Sequence, residues 1–129
     1  MNILDENMLK DQRQQLLDWR VPIRQIGYEV GRKGMKDDEI IPFLLGLRRP
    51  TFFTLDLGFY KRHLCHGRYS LVCLNVRDFD AATFVRLLLR HQAFDTQAKR
   101  MGAVIRVSRV KLSVWRLHAE KGTHLSWMD

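Results

Sequence analysis

Ser70-Leu71-Val72-Cys73-Leu74-Asn75-Val76 is the stretch that most limits how this chain folds. Its apolar residues are consecutive rather than alternating, so both faces of the strand it forms have to be covered. Such a strand belongs at the centre of a parallel sheet, and parallel neighbours are joined by crossover helices. The remaining sequence supplies them. Residues 2–4 read as a first strand, followed by a helix from Met8 to Trp19 with Leu9, Leu16 and Leu17 on its inner face. Val21-Pro22-Ile23 with Ile26 and Val30 suggests a second strand, which Pro22 confines to an edge or a strand start. Asp37 to Leu47 carries Ile40, Ile41, Leu44 and Leu45 at helical spacing, with Pro42 in its early turns. Residues 51–55 form the next strand, and a loop or short helix runs through His66.

After the central strand, Asp78 or Asp80 is placed to cap a helix from Phe79 to Ala93, with Phe79, Ala82, Val85 and Leu89 facing inward. Residues 103–107 and 110–117 alternate around Ser108-Arg109, as an edge strand and hairpin do. Strands interleaved with helices predict one three-layer α/β domain over residues 1–129, with a mostly parallel sheet and a C-terminal edge strand or hairpin.

Composition excludes several classes. A hydrophobic fraction of 46% argues against disorder. Two cysteines, Cys65 and Cys73, make no disulfide framework and favour a reducing compartment. Asp5 interrupts the only apolar stretch at the start, so no signal peptide is expected. The longest later run, Ile40 to Leu47, is far too short to span a bilayer. The expectation is a soluble, cytoplasmic protein with no membrane partner. The net charge of +8 is uneven: residues 1–56 hold nine basic and nine acidic side chains, whereas residues 86–129 hold nine against three. A basic last third suits a polyanion, or equally a solvated face or an acidic protein partner.

The acids are placed more tellingly. Asp5 closes Asn2-Ile3-Leu4, Asp56 closes Thr51-Phe52-Phe53-Thr54-Leu55, and Lys36-Asp37-Asp38-Glu39 puts three acids in the first turn of a helix. Acids at the carboxyl ends of parallel strands point into the crevice where open α/β sheets bind ligands. Carboxylates crowded there repel one another unless a cation shares the site. Singly, each is accounted for as a helix cap or turn former; jointly they predict a divalent-metal centre. His63-Leu64-Cys65-His66 has two zinc-type residue classes but lacks a full ligand set, and reads as a surface turn. Trp115 and Trp127, near Arg106, Arg109, Lys111 and Arg116, could stack on bases or close a small core.

Ile3-Leu4-Asp5-Glu6-Asn7, then Lys36-Asp37-Asp38-Glu39-Ile40, then Thr54-Leu55-Asp56-Leu57-Gly58-Phe59 resembles the short branch of the PIN-like nuclease superfamily in order and spacing over residues 1–60. The resemblance implies a Rossmann-like PIN-type domain and a metal-dependent endoribonuclease, often the toxin of a toxin–antitoxin pair. Carried over, Asp5, Asp37 and Asp56 are the catalytic and metal-binding acids, with Asp38 a neighbouring ligand. Glu6, Asn7 and Thr54 are supporting residues. The ion implied is Mg2+ or Mn2+, a hard cation that takes oxygen ligands and keeps several waters. RNA is the implied substrate, held by Arg106, Arg109, Lys111 and Arg116; an antitoxin protein is the other partner the resemblance implies, and a homodimer is a further candidate. Two departures stand out: Gly58 occupies a position where members commonly carry a second aspartate, and the further acid of larger PIN domains has no counterpart. The alternative they leave open is a catalytically inactive PIN-like protein that binds RNA or a protein partner.

Overall fold

A computed structural model describes residues 1–128. Seven strands form one sheet in the order β2-β1-β3-β4-β5-β6-β7, from β1 (Asn2–Leu4), β2 (Arg24–Gln25), β3 (Thr51–Thr54), β4 (Ser70–Leu74), β5 (Ala103–Val107), β6 (Lys111–Arg116) and β7 (Thr123–Ser126). The first five are parallel; β6 and β7 run antiparallel. The order 2-1-3-4-5 is one of the common doubly wound arrangements. Its crossovers change direction between β1 and β3, where such sheets open a ligand crevice.

Successive strand residues divide between two cores because side chains alternate across a sheet. Leu4, Phe53, Val72, Leu74 and Ile105 face α1 (Lys10–Asp18) and α3 (Ala81–Arg90). Ile3, Phe52, Leu71, Cys73 and Val104 face the other way, onto Ile40 and Leu44 of α2 (Asp37–Leu45). This is the three-layer α/β arrangement expected, with the fully buried Ser70–Leu74 strand in the middle of the sheet. Among the described residues no helix is long and apolar enough to cross a membrane.

The structure departs from expectation in several places. The second strand is Arg24–Gln25 rather than Val21-Pro22-Ile23, and Pro22 lies exposed before it. What fixes it there is Gln25, which is buried and whose Nε2 donates to the carbonyls of Asp5, Glu6 and Met8 at 3.0, 3.1 and 3.1 Å. In α1, Leu16 is buried as expected, but Leu9 and Leu17 are exposed and Gln12 is buried instead. Gln12 Oε1 accepts the Ala82 N–H at 2.8 Å and so caps α3 from another helix. Neither Asp78 nor Asp80 caps it. Asp80 turns outward to Arg77 and Arg109, both at 3.3 Å, and Phe79 is exposed beneath the Arg77 guanidinium. The tail adds two elements not anticipated: a one-turn helix, α4 (Gln97–Arg100), and a last strand, β7, paired antiparallel with β6.

Candidate active site

Asp5 leaves β1 beside Thr54. Its N–H donates to the Phe53 carbonyl at 2.9 Å, extending the β1–β3 pairing by one residue. The Thr54 hydroxyl then donates to Asp5 Oδ2 at 2.6 Å and accepts the Asp56 N–H at 3.0 Å. One buried threonine therefore fixes the carboxylate after β1 and the backbone after β3. Asp56 is turned by a second bond, with its Oδ1 accepting the Gly58 N–H at 2.8 Å. Phe59 anchors this turn by packing edge-to-face on Phe52, centroids 5.5 Å apart. Gly58 has a local reason to be glycine: a Cβ there would lie 2.9 Å from Asp56 Oδ1 and push the carboxylate out of place.

Asp37 joins from the first turn of α2. Its carboxyl is within hydrogen-bonding reach of Asp56, and burial, followed by Asp56 and then Asp38, pushes its pKa up. Burial is also the main cause raising Asp5. The Thr54 hydroxyl and the N–H groups of Glu6 and Asn7 oppose it, and the Asp56 charge adds to it. Asp5, Asp56, Asp37 and Asp38 thus form a chain of mutually repelling acids along the carboxyl edge, at the β1/β3 switch point. Asp37 and Asp38 line a groove of about 310 Å³ whose other wall carries Lys61 and His63 over Phe59 and Leu64.

The supporting residues have divided roles. Thr54 is central. Glu6 is committed elsewhere, accepting the Gly34 N–H with both carboxylate oxygens at 2.9 and 3.1 Å, so it fastens the 31–34 loop beside the edge. Asn7 contributes its N–H to Asp5 and is exposed. Glu39 is bonded to Arg32 and reaches the Lys36 N–H, as a cap does.

The four basic tail residues do not form one set. Arg106 lies over the Tyr60 ring, 5.0 Å from its centroid, on the α2 face. Arg109 and Lys111 flank the β5–β6 turn at the acidic edge, two to three strand spacings or roughly 10–14 Å across the sheet from β3. Arg116 corrects the expectation: it pairs in register with Ala103 at the opposite edge, donates to the Lys99 carbonyl at 3.2 Å and covers Phe94. The hairpin's length separates these residues by end. Trp127 is structural, donating to the Ser108 carbonyl at 2.8 Å and packing on Phe84 and His91. Cys73 is fully buried with its thiol pushed up to about 12, and Cys65 donates to the Trp115 carbonyl at 3.5 Å, so neither offers a thiolate to zinc.

Sequence reasoning passed over Lys61, whose only signal was proximity to Asp56, and Gln25, which had none; it noticed His63 only as part of a surface turn, not as a wall of this groove. Among the described residues no three Asp, Glu, His or Cys side chains converge as a ready group for one ion. The oxygens of Asp37 and Asp56 are hard donors of the kind Mg2+ takes one or two of together with water, and the residues here do not make an all-protein cage. No protein family, curated protein or solved structure matches the chain.

Proposed function

We propose that this chain is a metal-dependent endoribonuclease of PIN-like type, the toxin of a toxin–antitoxin pair. The observation that carries the reading is the Thr54 bridge, which holds the acids after β1 and β3 together at the sheet's switch point, with Asp37 in contact with Asp56. Mg2+ or Mn2+ bound there would orient and acidify a water for in-line attack on a phosphodiester. Asp56 and Asp37 are the direct ligands, being the two carboxyls in contact. Asp5, held by Thr54, sets the field beside them and accepts from water. Asp38, Lys61 and His63 border the space a substrate phosphate would enter, with Lys61 balancing its charge. Arg106, Arg109 and Lys111 supply further positive charge on the same side. An antitoxin would act by covering this edge.

Two observations favour the inactive alternative: among the described residues no three ligand-type side chains converge, and Gly58 offers no carboxylate. The test separates the two. Wild-type protein with Mn2+ should cleave single-stranded RNA, while Asp56→Asn should lose at least a hundredfold in rate and keep its circular-dichroism spectrum. Wild type that never cleaves, under any divalent cation, leaves the binding protein as the surviving reading.

A further inference from the structure

The end of the molecule opposite the acids carries a second groove, of about 410 Å³, lined by Gly46, Leu47, Arg48, Arg49, Gly67 and Arg68. All three arginines are exposed, and none is ion-paired with a carboxylate among the described residues. Three guanidiniums around one concavity repel each other in the free protein and present fork-shaped donors that match phosphate oxygens.

Its position relates it to the first groove. Both lie between the same two segments, α2 with its following loop and the β3–β4 connection. Asp37, Asp38 and Ile41 face Gly58, Phe59 and Lys61 at one end; residues 46–49 face Gly67 and Arg68 at the other. The nine residues of α2 separate them by about 13 Å at 1.5 Å per residue.

Arg49 adds an independent sign. Its φ is +49°, a left-handed conformation that costs a side-chain-bearing residue roughly 1 kcal/mol and suits glycine. Its carbonyl is held by the Met1 ammonium at 3.4 Å and Gln97 Nε2 at 3.0 Å. The chain keeps a charged side chain where folding alone would favour none.

We infer that the Arg48, Arg49 and Arg68 groove binds backbone phosphates of a single-stranded RNA whose further course along α2 leads to the acidic groove. The strand's course rests on the ribonuclease reading; the phosphate site does not. A strand laid this way has its flanking phosphates on guanidiniums and another phosphate among Asp37, Asp56 and Lys61.

The experiment measures binding of a short fluorescent single-stranded RNA by anisotropy, in EDTA so that nothing is cleaved, across a salt series. Arg48→Ala/Arg68→Ala should weaken binding about tenfold or more and flatten the slope of log K against log salt by about 1.4, near 0.7 per lost phosphate contact. Arg49→Gly should also weaken binding while its Tm is unchanged or raised, which separates lost recognition from lost folding. Unchanged affinity and slope in both variants overturns the proposal, as does displacement of the RNA by polyglutamate of equal charge at equal concentration, which would mark a generic anion surface. RNA bound through these arginines but never cleaved with Mn2+ supports this site and sinks only the ribonuclease reading.

Discussion

Thr54 uses its hydroxyl twice, donating to Asp5 and accepting from Asp56 N–H, and it is fully buried while doing so. Valine at this position keeps the shape and removes both bonds. Asp5, already raised by burial, then loses the strongest of the interactions that hold its pKa down. Thr54→Val should therefore cost about 1.5–3 kcal/mol, the range for a hydrogen bond to a charged group, and Thr54→Ser should restore most of it. In the ribonuclease assay Val should lose activity and Ser retain it. Urea unfolding of the three proteins checks the first part, and equal stability of Val and wild type would show that the bridge holds nothing. The same scale explains what the sequence made legible. An aspartate directly after an apolar run has few places to go but the strand's end, so Asp5 and Asp56 could be located without a structure. Thr54 and Asn7 could be singled out only through resemblance, because a threonine in a strand ordinarily needs no explanation.

At the scale of elements, legibility followed how local the cause was. The consecutive apolar residues of β4 and the spaced apolar residues of α2 carry their own evidence. The bounds of β2 and the burial in α1 do not, because a buried amide decides each. Gln12 caps a residue 70 positions away, and Gln25 gathers three carbonyls from the β1–α1 loop. Polar side chains read as outward in a sequence, and only their distant partners turn them inward. The same α1–β2 corner holds an ion pair whose pH dependence can be predicted. Arg13 meets Glu29 through two bonds of 2.7 and 2.6 Å, and Glu29 also accepts the Gln25 N–H at 3.0 Å. The Arg13 bond is the main cause holding the Glu29 pKa below its ordinary 4.5. A depressed folded pKa means that the stabilisation is complete above about 4.5 and is lost as pH falls through the lower folded value. Because both groups are partly exposed, screening limits it to about 0.5–1 kcal/mol. Glu29→Gln should thus melt about 2–4 °C below wild type at pH 7, and the gap should narrow and close as pH falls through the lowered folded value. A gap that persists in acid would mean the loss came from packing rather than charge.

Across the whole molecule, one acidic cluster and one arginine cluster sit at opposite ends, with Lys61, Arg109 and Lys111 standing near the acids as well. Asp5, Asp37, Asp38 and Asp56 gather at the carboxyl edge of the sheet, whereas Arg48, Arg49, Arg68 and Arg116 gather at the amino edge. A count along the sequence cannot see this, because a parallel sheet brings every strand start to one edge and every strand end to the other. The acids that repel one another at their edge lower the stability of the free fold, so a cation placed among them should stabilise it. Linkage sets the size: a ligand at a hundred times its Kd adds about 2.7 kcal/mol, a rise of very roughly 8 °C for a domain of this length. Millimolar Mn2+ should raise the Tm of the wild-type protein by several degrees, with Mg2+ acting in the same direction. Asp56→Asn removes both a repelling charge and a ligand. Without metal it should melt at or slightly above the wild-type temperature, and added Mn2+ should leave it nearly unmoved. Asp80→Asn controls for surface effects, since Asp80 is paired with Arg77 and Arg109 and is not among the charges that act on Asp5 or Asp37; it should respond to Mn2+ as wild type does. Equal metal responses in wild type and Asp56→Asn would place any cation elsewhere and leave the acidic edge as a strained surface without an ion. Differential scanning fluorimetry across a metal series reads all of these outcomes without requiring an RNA substrate.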